Sequence, residues 1–368
     1  LLRVGKTALK MPSECSSSRD TKQALIYSKT HFWLFRHCPM PRPSAALIDL
    51  KALRHNYRLA QALAPESNTL AVIKANAYGH GAIAVARALA DLVPAFAVAC
   101  LDEALELRAA GIAKPILLLD GFFNTDELRE AAAKDFWLLI GNRWQIDALQ
   151  NTQLSAPATV WLKVDSGMRR LGVSLDEVAD CFRALFSCAN VRQPVVIATH
   201  LACADELNNP HAGEQIQYFK SAVAGLNAPL SIANSPGLLG WPEARADWNR
   251  PGYMLYGNSP FTCPHSEADQ LVPVMSVQSR VMALRWVAPG ETVGYGATWR
   301  AERPSRIATV PIGYGDGYPR TAPSGTPVIV NGQRAALAGR VSMDLITLDV
   351  TDVEGVALGS EVELWGKQ

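Results

Sequence analysis

Short apolar runs rich in branched residues alternate with amphipathic segments from about residue 44 to residue 258. This alternation is typical of repeated βα units around a parallel sheet. Eight runs can be counted, and eight strands close a βα barrel in a span of this length. A helix over 53–63 is expected to precede them and to cover one end. The predicted strands are 70–74, 96–100, 116–119, 137–140, 160–164, 195–200, 231–233 and 253–256.

The pattern changes in the last part of the chain to alternating apolar and polar runs divided by turn sequences. Asn331-Gly332 lies between the apolar runs 328–330 and 335–337, and Asn-Gly in that position is a strong hairpin signal. We therefore predict a second, mostly antiparallel β domain. The fold class is α/β, with a (βα)8 TIM-like barrel followed by this β domain.

Three segments follow from these patterns. Residues 1–39 carry seven Lys or Arg against only Glu14 and Asp20 and show no sustained period, so we expect an unstructured extension outside the functional domains. The barrel is assigned to residues 40–262 and the β domain to residues 263–368. A chain of 368 residues is long enough for one large and one smaller core.

Composition excludes several classes of function. Hydrophobic residues make up 49% and charged residues 19%, which is the balance of a soluble globular protein. A net charge of +1 gives no indication of nucleic acid or of an anionic membrane surface as partner. The seven cysteines include no C-x-x-C pair, so neither a disulfide framework nor a metal site is expected, and a reducing, cytoplasmic location is favoured.

Charged and polar side chains occur where the predicted strands end. Barrel enzymes place their reacting groups at the carboxyl ends of the strands, so these side chains should meet at one mouth. Any one of them alone would be ordinary, since a lone lysine after a strand usually reaches solvent. Together they predict an active site. The residues at these positions are Lys74, Lys163, Asp165, His200, Asn234 and Ser235, and Arg250 lies at the entry to the eighth predicted strand.

Asn234-Ser235-Pro236-Gly237 follows the seventh predicted strand. Loops after strands seven and eight of such barrels often bind phosphate, through a serine hydroxyl and free backbone N–H groups. Alone, this sequence is more often a simple turn. With Lys74 at the same mouth, a phosphate-bearing aldehyde that forms a Schiff base becomes a sensible ligand.

The stretch around Lys74, Ala71-Val-Ile-Lys-Ala-Asn-Ala-Tyr-Gly-His-Gly81, resembles the cofactor-lysine motif of the alanine racemases. The resemblance covers nearly all of the chain from Pro43 onward. It implies a barrel and a β domain, a head-to-tail homodimer, pyridoxal 5'-phosphate as cofactor, and L-alanine and D-alanine as substrates. The other matching stretches are Lys163-Val-Asp-Ser-Gly-Met-Arg-Arg-Leu-Gly172, Thr199-His-Leu-Ala-Cys-Ala-Asp205, Asn234-Ser235, Arg250-Pro-Gly252, Val293-Gly-Tyr-Gly-Ala-Thr298, Gly313-Tyr-Gly-Asp-Gly-Tyr318 and Gly339-Arg-Val-Ser-Met-Asp344.

The resemblance also implies roles for individual residues. Lys74 holds the cofactor and exchanges the α-proton on the D-alanine face, whereas Tyr295 of the other subunit serves the L-alanine face. His200 and Arg250 support that tyrosine, and Arg250 faces the pyridine nitrogen. Because arginine cannot accept a proton, the ring then stays neutral. The family's substrate positions match Arg170 and Met343, and a lysine that some members carbamylate matches Lys163. The family's other cofactor positions match Tyr78, Asn234, Ser235, Gly252 and Tyr253.

Two departures from the family pattern stand out. Arg169 occupies a position where many members have a small residue or histidine. The family also continues past the equivalent of Gln368 by roughly a strand and a helix, including a tyrosine that contacts the cofactor phosphate. We therefore expect the second domain to be truncated and the activity of this chain to be affected.

Three alternatives remain open at this point. A non-catalytic barrel could bind pyridoxal phosphate through the same lysine, but such proteins lack the β domain and Tyr295. A decarboxylase of the same layout would have an acidic residue where Arg250 stands. A broad-specificity racemase would act on serine or lysine. Separately, the physiological role is either biosynthetic, supplying D-alanine for the peptidoglycan of the cell wall, or catabolic.

Overall fold

The computed structural model describes residues 26–28, 31–33 and 42–366 of the chain. Of the predicted extension 1–39 it covers two short strands, β1 (Ile26–Ser28) and β2 (His31–Trp33), which pair in antiparallel register. The prediction that this segment lacks regular structure is wrong for these strands. The rest of that prediction lies outside the described residues.

A ring of short parallel strands forms the centre of the first part of the chain. Seven strands, β11-β10-β9-β8-β7-β6-β5 in spatial order, make one sheet, and β12 pairs with β4 in parallel. β4 and β5 are successive parts of the first barrel strand, on either side of Leu70. The strands are β4 (Asn68–Thr69), β5 (Ala71–Val72), β6 (Phe96–Val98), β7 (Ile116–Leu118), β8 (Trp137–Ile140), β9 (Ala158–Lys163), β10 (Val191–Ala198), β11 (Leu230–Ser231) and β12 (Trp248–Asn249).

Backbone hydrogen bonds on both sides of β12 close the ring into an eight-stranded barrel. The N–H of Leu70 donates to the carbonyl of Asn249 over 3.1 Å, and the N–H of Arg250 donates to the carbonyl of Ala233 over 3.0 Å. The predicted barrel is therefore confirmed, but its eighth strand is Trp248–Asn249 and not 253–256.

The predicted eighth strand 253–256 forms a 3-10 helix instead. Its residues Met254, Leu255 and Tyr256 are buried, so the run is as apolar as a strand. A short apolar run cannot by its pattern be assigned to strand or helix. Here the hydroxyl of Ser235 accepts hydrogen bonds from the N–H groups of Gly252 and Met254, which keeps the backbone turned.

Helices pack around the outside of the ring. The predicted leading helix 53–63 is confirmed as a helix, and it begins earlier, at Leu50, because the carboxylate of Asp49 accepts hydrogen bonds from the N–H groups of Lys51 and Ala52. The helices are α1 (Leu50–Ala62), α2 (Lys74–Tyr78), α3 (Ala82–Leu89), α4 (Leu101–Ala109), α5 (Thr125–Ala133), α6 (Arg143–Asn151), α7 (Val178–Phe186), α8 (His211–Ala222) and α9 (Ser235–Gly240).

Alternation along the strands divides the core into two layers. Leu70 and Val72 belong to a cluster inside the barrel, whereas Ala71 and Ile73 pack in the layer between strands and helices. Successive side chains of a strand point to opposite faces, which produces this division. The interior is therefore a packed core that supports the residues at the mouth.

The second domain is an eight-stranded sheet in the order β14-β17-β20-β19-β18-β21-β13-β3, and all of its pairs are antiparallel. This confirms the predicted β architecture. A separate hairpin joins β15 and β16. The strands are β3 (Ala45–Ile48), β13 (Met275–Arg280), β14 (Ala283–Val287), β15 (Thr292–Val293), β16 (Trp299–Arg300), β17 (Ser305–Val310), β18 (Pro327–Val330), β19 (Gln333–Leu337), β20 (Ile346–Asp349) and β21 (Glu361–Trp365).

Two details of this sheet bear on the sequence analysis. The hairpin at Asn331-Gly332 is confirmed: both residues have positive φ, 49° and 77°, as a type I′ turn requires. β3 lies in the segment that was assigned to the barrel, but it pairs with β13 at the edge of the second sheet. That assignment is wrong for these four residues, because the partner strand is more than 200 positions away in the sequence.

The remaining regular elements are short 3-10 helices: Pro242–Ala244, Tyr253–Tyr256, Ala268–Gln270, Tyr295–Ala297 and Tyr314–Asp316. No helix in the described part of the chain has the length and hydropathy that crossing a lipid bilayer requires.

Candidate active site

A cavity of about 230 Å³ opens at the carboxyl ends of the barrel strands. Ten of the residues that the sequence analysis singled out line it, so the structure brings most of the predicted site together. Thr199 and Asp120 also contribute to its wall. The ten are Lys74, Tyr78, Lys163, Arg170, His200, Asn234, Ser235, Arg250, Gly252 and Tyr253.

Lys74 follows β5 with Ile73 between them, and it begins an unusual turn. The next four residues, Ala75, Asn76, Ala77 and Tyr78, all have φ between 52° and 54°, so α2 is wound left-handed. For residues with a Cβ atom this costs about 1–2 kcal/mol each. Contacts from elsewhere must therefore hold the turn, and the amide oxygen of Asn76 provides one by accepting a hydrogen bond from the N–H of Ala82 over 2.8 Å.

Two loops meet on one side of the cavity. The hydroxyl of Ser235 accepts hydrogen bonds from the N–H groups of Gly252 (3.0 Å) and Met254 (3.2 Å), which ties together the turns after strands seven and eight. A Cβ atom at Gly252 would lie 2.5 Å from the hydroxyl oxygen of Tyr78. Glycine at this position therefore lets backbone and phenol approach closely.

Tyr78 and Asn234 are held by further contacts. The ring of Tyr78 packs against that of Tyr256 with 4.8 Å between centroids, and burial raises the pKa of Tyr78, so it stays a neutral phenol. The side chain of Asn234 caps α9, since its oxygen accepts a hydrogen bond from the N–H of Gly237 over 3.0 Å. The turn at 234–237 is thus both a helix start and a wall of the cavity.

The lining of the cavity is rich in positive charge. Arg250 is buried, and its guanidinium donates hydrogen bonds to the hydroxyl of Ser231 and to the carbonyl of Thr199, which are neutral acceptors. Burial lowers the pKa of Arg250 to about 10, so it remains charged at neutral pH. Burial also lowers the pKa of His200 well below its ordinary value, with the charge of Arg250 as the next cause. His200 is therefore a neutral imidazole.

Lys163 lies at the end of β9 with 8% of its surface exposed. Its pKa falls from 10.5 to about 8, first because it is buried and then because Arg250 and Arg170 are charged; Asp120 acts in the opposite direction. Among the described residues that line the cavity, Asp120 is the only carboxylate. The excess of cations suits an anionic ligand.

Arg170 reaches the mouth from a loop that Asp165 organises. One carboxylate oxygen of Asp165 accepts hydrogen bonds from the N–H groups of Gly167 (2.9 Å) and Arg169 (3.0 Å). Arg169 has φ of 59°. Asp165, which was expected at the mouth, therefore shapes the loop and is not among the residues that line the cavity.

Two predicted site residues lie away from the cavity of their own chain. Tyr295 is 72% exposed and Met343 is 54% exposed, both in the second domain, and neither lines the cavity. Tyr295 stands between Gly294 and Gly296, which have φ of 79° and 73°. The structure thus does not bring these residues to Lys74 within one chain, and their contribution to a partner's cavity stays a prediction.

Asp120 was overlooked in the sequence, although it directly follows the predicted strand 116–119, and the rule for strand ends would have found it. Glu103 was also overlooked, and no motif marks it. Its carboxylate accepts a hydrogen bond from the N–H of Ala75, the residue after Lys74, over 2.6 Å. Within the part of the chain that the structure describes, no group of three or more His, Cys, Asp and Glu is placed to hold a metal ion.

Comparison with known proteins gives consistent matches over almost the whole chain. The family model of the alanine racemase N-terminal domain matches residues 48–260, and that of the alanine racemase C-terminal domain matches residues 274–368. A catabolic alanine racemase of Pseudomonas putida is 52% identical over 327 residues, which are 89% of this chain and 91% of that protein.

Solved structures agree with these matches. The biosynthetic alanine racemase of Pseudomonas aeruginosa superposes with a TM-score of 0.85 at 48% identity, over 89% of this chain and 91% of that one. The alanine racemase of Bartonella henselae, described with covalently bound pyridoxal phosphate, superposes with a TM-score of 0.80 at 33% identity, over 89% and 91%. The chain therefore belongs to the alanine racemase family.

Proposed function

We propose that this chain interconverts L-alanine and D-alanine, with pyridoxal 5'-phosphate attached to Lys74. The observation that carries the proposal is the position of Lys74, which lines one cavity with Lys163, Arg170 and Arg250 in a chain of this family. A primary amine is the group that condenses with an aldehyde, and the surrounding cations favour a phosphate. The covalently bound cofactor of the Bartonella henselae relative supports the same ligand here.

The residues of the cavity fit a phosphorylated aldehyde. Gly252 lines the cavity beside Tyr78, where a Cβ atom would crowd the phenol. Phenol, hydroxyl, amide and backbone N–H groups are the donors that phosphate oxygens accept from. The residues that would hold the cofactor besides Lys74 and Arg250 are Tyr78, Asn234, Ser235, Gly252 and Tyr253.

Inversion at the α-carbon requires proton exchange on two opposite faces. Pyridoxal phosphate supplies an electron-withdrawing ring that stabilises the negative charge left when the proton is removed. In this chain the amine of Lys74 would exchange the proton on the D-alanine face, and Tyr295 of a second copy would do so on the L-alanine face. His200, which burial keeps neutral, and the charged Arg250 would support that tyrosine. Arg250 has only donors to offer, so it cannot take up the proton of the ring nitrogen.

The substrate carboxylate would be bound by Arg170 at the mouth and by Met343 of the second copy. Lys163 has a further role in this proposal, because its pKa of about 8 leaves part of the amine neutral at physiological pH. A neutral amine adds to carbon dioxide and releases a proton to solvent, which gives a carbamate anion that would pair with Arg170. This modification belongs to the proposal.

Exposure of the second-domain residues supports a homodimer with shared active sites. Tyr295 and Met343 are exposed on this chain and do not line its own cavity, as expected of residues that complete a partner's site. We keep the barrel limits 40–262 and the second-domain limits 263–368 as our assignment, except that Ala45–Ile48 belong to the second sheet. Cysteines of the described residues are free thiols, which supports a reducing, cytoplasmic location.

The test is to purify the full chain and follow the loss of optical activity of L-alanine, L-serine and L-lysine side by side. We expect cofactor absorbance that survives dialysis and racemisation of alanine above the other two. Lys74→Ala should lose the bound cofactor and several orders of magnitude of activity. Lys51→Ala, a change at an exposed lysine of α1, is the matched control and should retain both.

Cofactor that stays bound to Lys74→Ala after exhaustive dialysis would contradict the assignment of Lys74. A wild-type protein that retains the cofactor but racemises none of the three amino acids would instead support a non-catalytic barrel. Equal rates on all three would favour a broad-specificity racemase. Relatives of similar identity carry both catabolic and biosynthetic names, so we propose the reaction and not its physiological role.

A further inference from the structure

The left-handed turn after Lys74 is not what its residues favour on their own. Ala75 and Ala77 belong to the residue type with the highest propensity for the right-handed helix, yet both have φ above 50°. The direction in which the chain leaves β5 therefore depends on contacts from other elements. The same direction determines where the side chain of Lys74 enters the cavity.

Glu103 provides the contact closest to the lysine. One oxygen of its carboxylate accepts a hydrogen bond from the N–H of Ala75 over 2.6 Å, and the other accepts one from the N–H of Ala99 over 2.7 Å. Ala75 follows the cofactor lysine, and Ala99 follows β6. A single carboxylate from the first turn of α4 thus joins the ends of the first two barrel strands.

We propose that Glu103 is a positioning residue for Lys74: its carboxylate holds the left-handed turn and so sets the direction of the lysine amine. The inference rests on the proposed function in treating Lys74 as the cofactor lysine. Both hydrogen bonds are charge-assisted, which makes them about twice as strong as bonds to a neutral acceptor. Glu103 is not among the residues that line the cavity, so it acts only through the backbone.

A simpler role for Glu103 would be to stabilise α4, because acidic residues in the first turn interact favourably with the helix dipole. Asp102 lies in the same turn and is exposed, so it offers a matched control for that role. Asp102→Asn removes the same charge from the same helix terminus. If the helix dipole were the whole effect, the two substitutions would behave alike.

The experiment compares full-length Glu103→Gln with Asp102→Asn and with the wild type. Glutamine keeps one acceptor oxygen and presents an amide NH2 group where the second carboxylate oxygen was, so one of the two backbone N–H groups loses its acceptor. Three experiments are made on each protein: hydrogen exchange of the segment 74–82, retention of pyridoxal phosphate, and steady-state kinetics that give kcat and KM for alanine.

We expect faster exchange of the segment 74–82 in Glu103→Gln and about tenfold to a hundredfold weaker cofactor binding. kcat should fall more than KM changes, because the misplaced group is the amine that exchanges the proton. Asp102→Asn should match the wild type in all three. Equal exchange in Glu103→Gln and wild type, or equal effects of the two substitutions, would overturn the proposal.

A second variant guards against a general folding defect. Ala75→Gly introduces a residue that adopts positive φ without steric cost, so it should partly restore cofactor retention when combined with Glu103→Gln. A defect in α4 would not respond to a glycine in the turn, and absence of rescue would refute the positioning role. Should the wild type bind no cofactor, the proposed function fails, but the exchange data still decide whether Glu103 holds the turn.

Discussion

Replacing Lys163 with methionine should stabilise the cofactor-free protein at neutral pH. Lys163 is buried and faces the charges of Arg250 and Arg170, which lower its pKa from 10.5 to about 8. At about 1.4 kcal/mol per pKa unit, the charged form costs the folded state roughly 3 kcal/mol relative to the unfolded chain. Methionine is unbranched and adaptable, so it should fill most of the same space.

The effect should depend on pH with a definite sign. Below pH 8 the amine is charged in both the folded and the unfolded state, so the full cost applies and the variant should be more stable by up to about 3 kcal/mol. Between pH 8 and 10.5 the folded state gives up its proton first, so the wild type gains stability and the difference shrinks. Above pH 10.5 the amine is neutral in both states and the difference should vanish.

Urea unfolding at pH 7, 8.5 and 10, followed by tryptophan fluorescence, measures the difference in free energy of unfolding between wild type and variant. The buried Trp161 lies on the same strand as Lys163 and reports on its surroundings. Lys51→Met, at an exposed lysine, should change stability by no more than about 0.5 kcal/mol. Buffers free of bicarbonate keep the amine unmodified. If wild type and Lys163→Met have the same free energy of unfolding at pH 7 and again at pH 10, the reasoning is refuted. In a separate measurement, added bicarbonate should stabilise the wild type but not Lys163→Met if the lysine becomes a carbamate.

Two further predictions concern the two sides of the proposed site. Tyr295→Phe should stop inversion, because it removes the base on the L-alanine face. D-alanine should still exchange its α-proton with solvent deuterium. Equal loss of exchange from both enantiomers would show that Tyr295 is not the second base. Gly252→Ala should weaken cofactor binding about tenfold in a fluorescence titration, because the added methyl group lies 2.5 Å from the hydroxyl of Tyr78. With Tyr78→Phe in the same chain the methyl group should cause a smaller loss, because only the 3.2 Å contacts with the ring and with Val72 remain. An undiminished loss would show that the hydroxyl of Tyr78 is not the cause.

Patterns within short stretches were sufficient for much of the architecture. Alternation of apolar and amphipathic runs predicted the barrel, because hydrophobic period and strand length are local properties. Asn331-Gly332 predicted its hairpin, since only a few residue types adopt positive φ twice in succession. The rule for strand ends gathered Lys74 and His200, because parallel strands bring their carboxyl ends to one edge. Arg250 joins them because the eighth strand is Trp248–Asn249, so this residue follows the strand and does not precede it.

Packing between distant segments decided the rest. The eighth strand lies at Trp248–Asn249 because that segment finds partners on both sides of the ring, whereas the equally apolar run 253–256 is turned by Ser235. Ala45–Ile48 could be a strand from its composition, but its place in the second sheet depends on β13, more than 200 positions later.

The chemistry of the site depends in the same way on the folded chain. Ala75 and Ala77 are left-handed against their own propensity. The carboxylate of Glu103, 28 positions further along the chain, accepts a hydrogen bond from the N–H of Ala75, and no local pattern contains that contact. The lowered pKa of Lys163 arises from burial and from charges on two other segments. A sequence specifies which groups are available and their local preferences; the free energy of bringing distant groups together in a dry interior is settled only when the whole chain packs.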